Sequence, residues 1–347
     1  REDTFDLDFR HRFAAGDRNR FVWGGGYRYL PSEQTSGPRL SFSDPSPNHQ
    51  LVNAFLQDEV TLAEDLLKFT LGTKIEHNDF TGFEIQPSAR LLYTPTEKQS
   101  LWAAASRAVR TPSRLDTMLS ADLAVIPPTP ASPPVVVRYA GNPNFAAEEV
   151  FAYELGYRIL PHKRLSIDLA TFFNVTDDVR LVSSSAPTFS PGPPPRLNVL
   201  ASPANEYHGY NYGAEISAQW MATEDWRWLA GYSWIDFESA QPHPQGDSTP
   251  RQQFQLRSYF NLPAHFELTA GAYYVDAISP AIAFEPVRIP SYVRLDAGLT
   301  WRPIPSLEVG VWGQNLLDSG HPEFPAYRSS QIAEIPRGVV GRVTWSY

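Results

Sequence analysis

The stretch "SYVRLDAGLTW", residues 291–301, alternates without a break. Val293, Leu295, Ala297, Leu299 and Trp301 are apolar, and Tyr292, Arg294, Asp296, Gly298 and Thr300 between them are polar or small. A period of two is the pattern of a strand with one greasy face and one wet face. The fold turns on where the greasy face looks: into a soluble core or out at lipid.

Working outward, the same alternation recurs at 5–13, 20–30, 50–62, 66–77, 83–93, 100–109, 151–160 and 165–175. It continues at 211–221, 226–237, 253–262, 266–275, 307–317 and 338–347. The reading is about fifteen strands of about ten residues, with no convincing helix. One set of connections is tight: "AAGDRN", "AEDL", "TPTEKQ", "LPHKR", "ATED", "LPAH" and "RPIPS". The other set is expected to be long, about ten to forty residues, and holds the proline-rich stretches "IPPTPASPP" (126–134) and "SPGPPPR" (190–196), read as loops. Tight turns at one end and long loops at the other describe an antiparallel transmembrane β-barrel, with short periplasmic turns and long outer loops. Strands of this length cross a bilayer when tilted. A soluble two-layer sandwich gives the same local alternation, but its Greek-key connections do not sort by length in this way.

Composition narrows the function classes. Hydrophobic residues make up 42% and charged residues 19% of the 347, which fits an ordered chain. No apolar run reaches the roughly 18 residues of a spanning helix. The net charge of -9 argues against a nucleic-acid binder. The absence of cysteine removes disulfides, thiolate catalysis and cysteine metal sites. Trp226, Trp228, Trp301, Trp345 and Tyr347 sit beside tight turns or at the end of the chain, where an interfacial aromatic girdle belongs.

Several stretches resemble the barrel of TonB-dependent outer-membrane receptors. "FLQDEVTL" followed by "LGTKIEHNDF" is similar to that family's strand pair after a long outer loop. "IQPSARLLYTPTEKQSLWAAASRAVRTPSRLD" resembles its proline-containing strand, tight turn and next strand ending in Arg-x-Pro. "GNPNFAAEEVFAYELGYR", "LATFFNVTDDVRLV", "NYGAEISAQW" and "GQNLLDSGHPEFP" resemble later segments in the same order. "GVVGRVTWSY" is similar to the terminal strand read by the barrel assembly machinery, with Val339, Val343, Trp345 and Tyr347 as the signal.

The resemblance implies one receptor-like barrel domain over residues 1–347 in the outer membrane of a Gram-negative bacterium. The family's barrels have twenty-two strands after an N-terminal plug and an energy-coupling box. The strand count here fits a chain that starts at about the eighth strand, so the domain is expected to be partial. The partners implied are outer-membrane lipid, the TonB energy-coupling complex acting through the plug, and a small-molecule ligand such as a ferric siderophore. Nucleic acid is not among them.

The residues themselves show no G-x-S-x-G, P-loop or H-E-x-x-H motif, so neither enzyme chemistry nor a resident metal or cofactor is expected. Arg107, Arg110 and Arg114 lie at the outer end of a strand and in the loop after it. Arg138 and Tyr139 precede Gly141, and Arg288 and Arg328 lie in other outer loops. Guanidinium forks suit carboxylate, phosphate and catecholate oxygens. Arg110, Arg114, Arg138, Tyr139, Arg288 and Arg328 are therefore candidate ligand contacts, with His208 and Tyr210 of "NEYHGYNYG". The pairs Glu148–Glu149 and Asp177–Asp178, and His243, read as solvated charges. Arg257, Arg294, Asp296, Glu308 and Arg342 fall on the lumen face and are expected to pair with one another or to grip the plug. Two other classes stay open: an ungated passive channel or adhesion barrel, which predicts conductance without a plug, and a soluble sugar-binding β protein, which predicts extraction without detergent.

Overall fold

The computed structural model describes residues 2–346 apart from 38, 45–47, 240–247, 280–287 and 325–333. In chain order the strands are β1 (Phe5–Ala15), β2 (Asn19–Pro31), β3 (Leu40–Phe42), β4 (Asn48–Ala63), β5 (Leu67–Asn78), β6 (Gly82–Thr96) and β7 (Gln99–Arg110). After a single helical turn, α1 (Arg114–Thr117), come β8 (Leu119–Ile126), β9 (Val135–Ala140), β10 (Glu148–His162), β11 (Leu165–Ser184), β12 (Thr188–Ser190) and β13 (Arg196–Met221). The last are β14 (Trp226–Ser239), β15 (Gln252–Leu262), β16 (Phe266–Val275), β17 (Tyr292–Ile304), β18 (Leu307–Gln314), β19 (Gly320–Pro322), β20 (Glu334–Pro336) and β21 (Gly338–Trp345). Nineteen of them belong to one sheet, and β19 pairs with β20 apart from it. Hairpin neighbours pair antiparallel, as in β1–β2, β4–β5, β15–β16 and β17–β18. Among the described residues, β9 and β13, which are not hairpin neighbours, pair parallel over a short stretch.

All fifteen segments of alternating sequence are strands. Most run longer than the alternation alone indicates, β11 with 20 residues and β13 with 26, while β18 and β21 stop short at 8 each. The outer halves of the longer ones keep pairing beyond the length a bilayer needs, about ten residues. Six short strands were not foreseen: β3, β8, β9, β12, β19 and β20. The α1 turn also corrects the expectation of no helix. Ser113 caps it by accepting from the Asp116 backbone N–H, and Asp116 returns the bond to the Ser113 N–H. The two classes of connection hold with one correction. β5 and β6 are joined on the long-loop side by residues 79–81 alone, because Asn78 Oδ1 accepts the backbone N–H groups of Phe80 and Thr81 and closes a tight turn. On the tight-turn side, Gly16 and Asp65 supply the positive φ values (67° and 53°) that three-residue turns require.

The chain divides into two compact units. One comprises Arg1–Leu91, Ala104–Tyr153 and Asn174–Gly209; the other comprises Leu92–Ala103, Glu154–Phe173 and Tyr210–Tyr347. In the second unit the greasy face can be followed across strands. Phe260 pairs with Leu268, Leu268 with Leu299 and Leu299 with Val311. On the opposite face Tyr259 pairs with Thr269, Thr269 with Gly298 and Gly298 with Trp312.

Burial answers the question posed by residues 291–301. Val293, Leu299 and Trp301 are 48%, 44% and 40% exposed, while Arg294 and Asp296 are half-buried and Thr300 is buried. The first unit repeats the inversion: Val52, Leu56, Leu71 and Ile75 are exposed, and Glu76 and Glu84 are buried. A water-soluble domain hides its aliphatic faces, since burying such a side chain is worth about 1.5–3 kcal/mol. Exposing whole rows of them is stable only when the surroundings are themselves apolar, as around a transmembrane strand. The sandwich reading is thereby excluded. Aromatic rings gather near the tight turns: Phe13 stacks on Phe21 at 5.3 Å, Trp226 meets Phe260 at 5.3 Å, and Phe266 stacks on Trp301 at 5.6 Å. The Trp301 indole N–H donates to the Ala264 carbonyl at 3.2 Å, the apolar-body, polar-tip arrangement of a bilayer boundary.

Candidate functional site

The first unit carries the densest ionic assembly at the outer end of its strands. Its centre is Asp116 of α1, whose side chain is fully buried. The carboxylate accepts from the Ser113 backbone N–H at 2.9 Å, the Ser113 hydroxyl at 2.8 Å and Arg180 Nη1 at 2.7 Å, with Arg110 Nη1 at 3.6 Å. Burial works against ionisation of Asp116. The Ser113 N–H, the Arg180 fork and the Ser113 hydroxyl together outweigh it and hold the pKa below the usual carboxylate value. Arg110 also grips Glu148 of β10, Nε to Oε2 at 2.8 Å, and Arg107 grips Glu149 and Glu84. Arg114 reaches back to Ser32 at 2.5 Å and to the Leu30 carbonyl at 3.4 Å.

Beside this assembly, on the β8–β9 hairpin, Arg138 Nε donates to Asp122 at 2.7 Å. The bond from Arg138 is the main reason the Asp122 pKa is lowered. Burial raises the Tyr139 phenol against the pull of nearby Arg180, so the phenol remains a neutral hydrogen-bond donor. The loop before β10 is pinned by side chain to backbone bonds: Asn142 Nδ2 donates to the Pro203 carbonyl at 3.2 Å, and Asn205 Oδ1 accepts from the Ala146 N–H at 2.9 Å.

Arg110 and Tyr139 are thus drawn around Asp116, directly or through Arg180, while Arg114 turns away to Ser32, the Leu30 carbonyl and Glu2, and Arg138 has its own acid. His208 lies on β13 against Asp177. The ligand atoms of Asp177, Asp178 and His208 fall within 4.8 Å of one another, at an exposed position. Tyr210, also on β13, bonds Glu238 and packs on Phe173 at a ring distance of 5.4 Å. Arg288 is exposed next to Ile289. Arg328, Tyr347 and His243 lie outside the described residues. Val339, Val343 and Trp345 form an exposed apolar row on β21.

Sequence reasoning treated Glu148 and Glu149 as solvated charges. That is corrected here: each holds one of the strand-end arginines. Asp116, Asp122 and Arg180 were overlooked. The Ser113-x-x-Asp116 spacing was the available signal for the first, since it is a capping-box pattern. On the lumen face of the second unit, Arg294 pairs with Asp296 at 3.1 Å, and Glu308 pairs with Arg302 at 2.9 Å and Arg342 at 2.8 Å.

Exposed aliphatic rows, inward polar rows and tight turns facing long loops define the wall of a transmembrane β-barrel. The family model described as TonB dependent receptor-like, beta-barrel matches residues 1–316, and the chain belongs to that family. Solved structures agree in fold. A mutant of the ferric enterobactin receptor PfeA from Pseudomonas aeruginosa, in complex with enterobactin, is 16% identical with a TM-score of 0.80, over 100% of this chain and 54% of that one. The siderophore receptor PirA from Acinetobacter baumannii is 13% identical with a TM-score of 0.78, over 100% and 55%. The FrpB iron transporter from Neisseria meningitidis is 14% identical with a TM-score of 0.70, over 99% and 55%. The chain therefore spans about half the length of the structures it matches.

Proposed function

We propose that this chain supplies barrel wall and outer mouth to a receptor that captures a ferric siderophore outside the cell and passes it inward. Uptake would be driven by the TonB complex acting through a plug, and β21 would carry the row Val339, Val343, Trp345 and Tyr347 to the barrel assembly machinery. The observation that carries the reading is the guanidinium array at the outer end. The side chains of Arg110, Arg138 and Arg180 are held by acids yet stay 50%, 44% and 43% exposed. A clamped, half-exposed fork loses little freedom when an anionic chelate arrives and still has N–H groups to offer it. Neutral Tyr139 adds a donor and a ring face beside them. The chemistry fits a polyanionic iron chelate better than a neutral one. Siderophore receptors among the structural neighbours support this cargo.

The test is tryptophan-fluorescence titration of the detergent-solubilised chain with an anionic ferric catecholate and with a neutral ferric hydroxamate. The catecholate is expected to bind tighter, and Arg180→Ala to weaken it about tenfold or more, the worth of one charge-assisted bond. Equal affinity for both chelates, or an unaltered Arg180→Ala variant, would overturn the proposal. Transport is read separately, as iron uptake by cells carrying the reading frame.

A further inference from the structure

His49 is the second residue of β4 and stands opposite Leu30 in the β2–β4 ladder. It is 7% exposed, while Asn48 and Gln50 on either side of it are open to solvent. Phe80, in the turn between β5 and β6, lies on the imidazole with the ring centres 4.4 Å apart and the planes 25° from parallel. Asn78 holds that turn, its Oδ1 accepting the N–H groups of Phe80 at 3.0 Å and Thr81 at 2.9 Å. Asp79 ties the turn to β4 by accepting the Gln50 N–H at 2.6 Å.

Neither nitrogen of the His49 ring has a hydrogen-bond partner among the described residues, and neither is open to water. Buried polar groups normally have partners, so this slot suits the ring only in its least demanding form. Neutral imidazole leaves one N–H and one lone pair unanswered. Imidazolium would leave two N–H groups and a charge. The charged groups around the ring divide. Arg114 of α1, which donates to the Leu30 carbonyl opposite His49 at 3.4 Å, opposes a second cation. Asp79 of the turn, Asp44 between β3 and β4, and Glu2 ahead of β1 favour one. Burial is the largest influence and, with Arg114, outweighs the three acids, so the folded pKa lies below the ordinary 6.5. The sign follows: the opened ring takes a proton more readily than the closed one. The closed form is fully favoured above 6.5 and loses ground as pH falls below it.

We propose that His49 is an acid-released latch on the outer end of the first unit. While the ring is neutral, Phe80 stays stacked on it and the β5–β6 turn is closed against β4. When the ring gains a proton it leaves the slot for water. Phe80 then loses the surface it covers, and the bond from Gln50 to Asp79 parts with the turn. The outer end of β4–β6 is thereby open more often in mildly acidic surroundings than in neutral ones. α1 stays in place, because its cap and its ion pair run through Asp116. No cargo enters this reading, so it stands or falls apart from the function proposed above.

Amide hydrogen exchange of the detergent-solubilised chain tests it. The readout is the protection factor, corrected for the intrinsic pH dependence of exchange, at about pH 7.5 and about pH 5.5. An open state that titrates at 6.5 gains up to about tenfold in population across that interval, and protection at Gln50, Phe80 and Thr81 is expected to fall accordingly. The bonds of the Met118 and Asn142 N–H groups around Asp116 are expected to hold. His49→Phe keeps a ring for Phe80 to stack on and cannot titrate, so its protection is expected to be the same at both pH values. Phe80→Ala lets water reach the ring, and is expected to lower protection at both pH values and to flatten the difference between them. Each variant is read by its own pH difference, so a general loss of stability does not imitate the result. The proposal is overturned if the parent protects Gln50, Phe80 and Thr81 equally at both pH values, if the whole β4–β5 ladder loses protection alike, or if His49→Phe keeps the parent's fall.

Discussion

Replacing Asp116 by Asn should loosen the outer end of the first unit without unfolding the sheet. The substitution keeps shape and removes charge. It deletes the ion pair with Arg180 at 2.7 Å and the longer one with Arg110 at 3.6 Å, and it places an amide where the Ser113 N–H and hydroxyl both donate. A hydrogen bond to a charged group contributes about 1.5–3 kcal/mol, and a helix cap about 0.5–2 kcal/mol. Arg180 and Arg110 are 43% and 50% exposed in their side chains, so water recovers part of their loss, which keeps the sum toward the lower end. The net expectation is about 2–4 kcal/mol, or roughly 30- to 900-fold in the local opening constant. Amide hydrogen exchange measures it directly. The bonds from Met118 N–H to Arg114 and from Asn142 N–H to Asp116 should lose protection, while those of β4–β5 should not change. Unaltered protection at residues 116–118 and 141–142 would refute the account of Asp116 as the pin of the mouth. Uniform loss across the sheet would refute the claim that its role is local.

The same carboxylate fixes an acid dependence. Its folded pKa lies below the ordinary 3.8, so its contribution is complete above that value and vanishes as pH falls through the folded pKa. The protection factors at residues 116–118, corrected for the intrinsic pH dependence of amide exchange, should therefore be flat from neutral pH to about 4 and fall steeply below it, and Asp116→Asn should abolish the fall. On the lipid side, Leu299→Lys, two residues inward of the boundary residue Trp301, should cost about 1–2 kcal/mol of folding into vesicles, between the interface and midplane values, measured as a lower urea midpoint. The same change in a detergent that lets water reach the strand should cost less.

How much of this was legible follows from what alternation can carry. A strand with two chemically different faces writes its position in every second residue, and all fifteen such segments are strands. Strands of three residues, such as β3 and β12, hold too few periods to be seen. β9 opens on "VVV", without alternation, because it lies outside the segments that must face both lipid and lumen. The site was half visible. Arg110, Arg114, Arg138 and Tyr139 stood out as basic or aromatic residues in loops. Their partners did not, because Glu148 lies 38 residues from Arg110, and Asp116 lies 64 from Arg180. Only strand pairing brings these acids near, and a single sequence does not state how neighbouring strands are registered.

The chain of charges Glu267–Arg302–Glu308–Arg342 links β16, β17, β18 and β21 on one face. Its contribution to stability is small, because the groups are partly exposed. Its consequence is fidelity. β18 and β21 meet with Glu308 opposite Thr344 and Gly310 opposite Arg342. Both strands are rich in valine, so a misaligned ladder could still form its backbone bonds. A slip of one residue would swing the Arg342 guanidinium toward hydrocarbon and bring Val343 inward, at about 1–2 kcal/mol this close to the boundary residue Trp301. Glu308 would lose one of its two partners in the same step and keep only Arg302. The acid and the base thus work as a spelling check on the last hairpin, rejecting the wrong alignment while the strand is still being laid down.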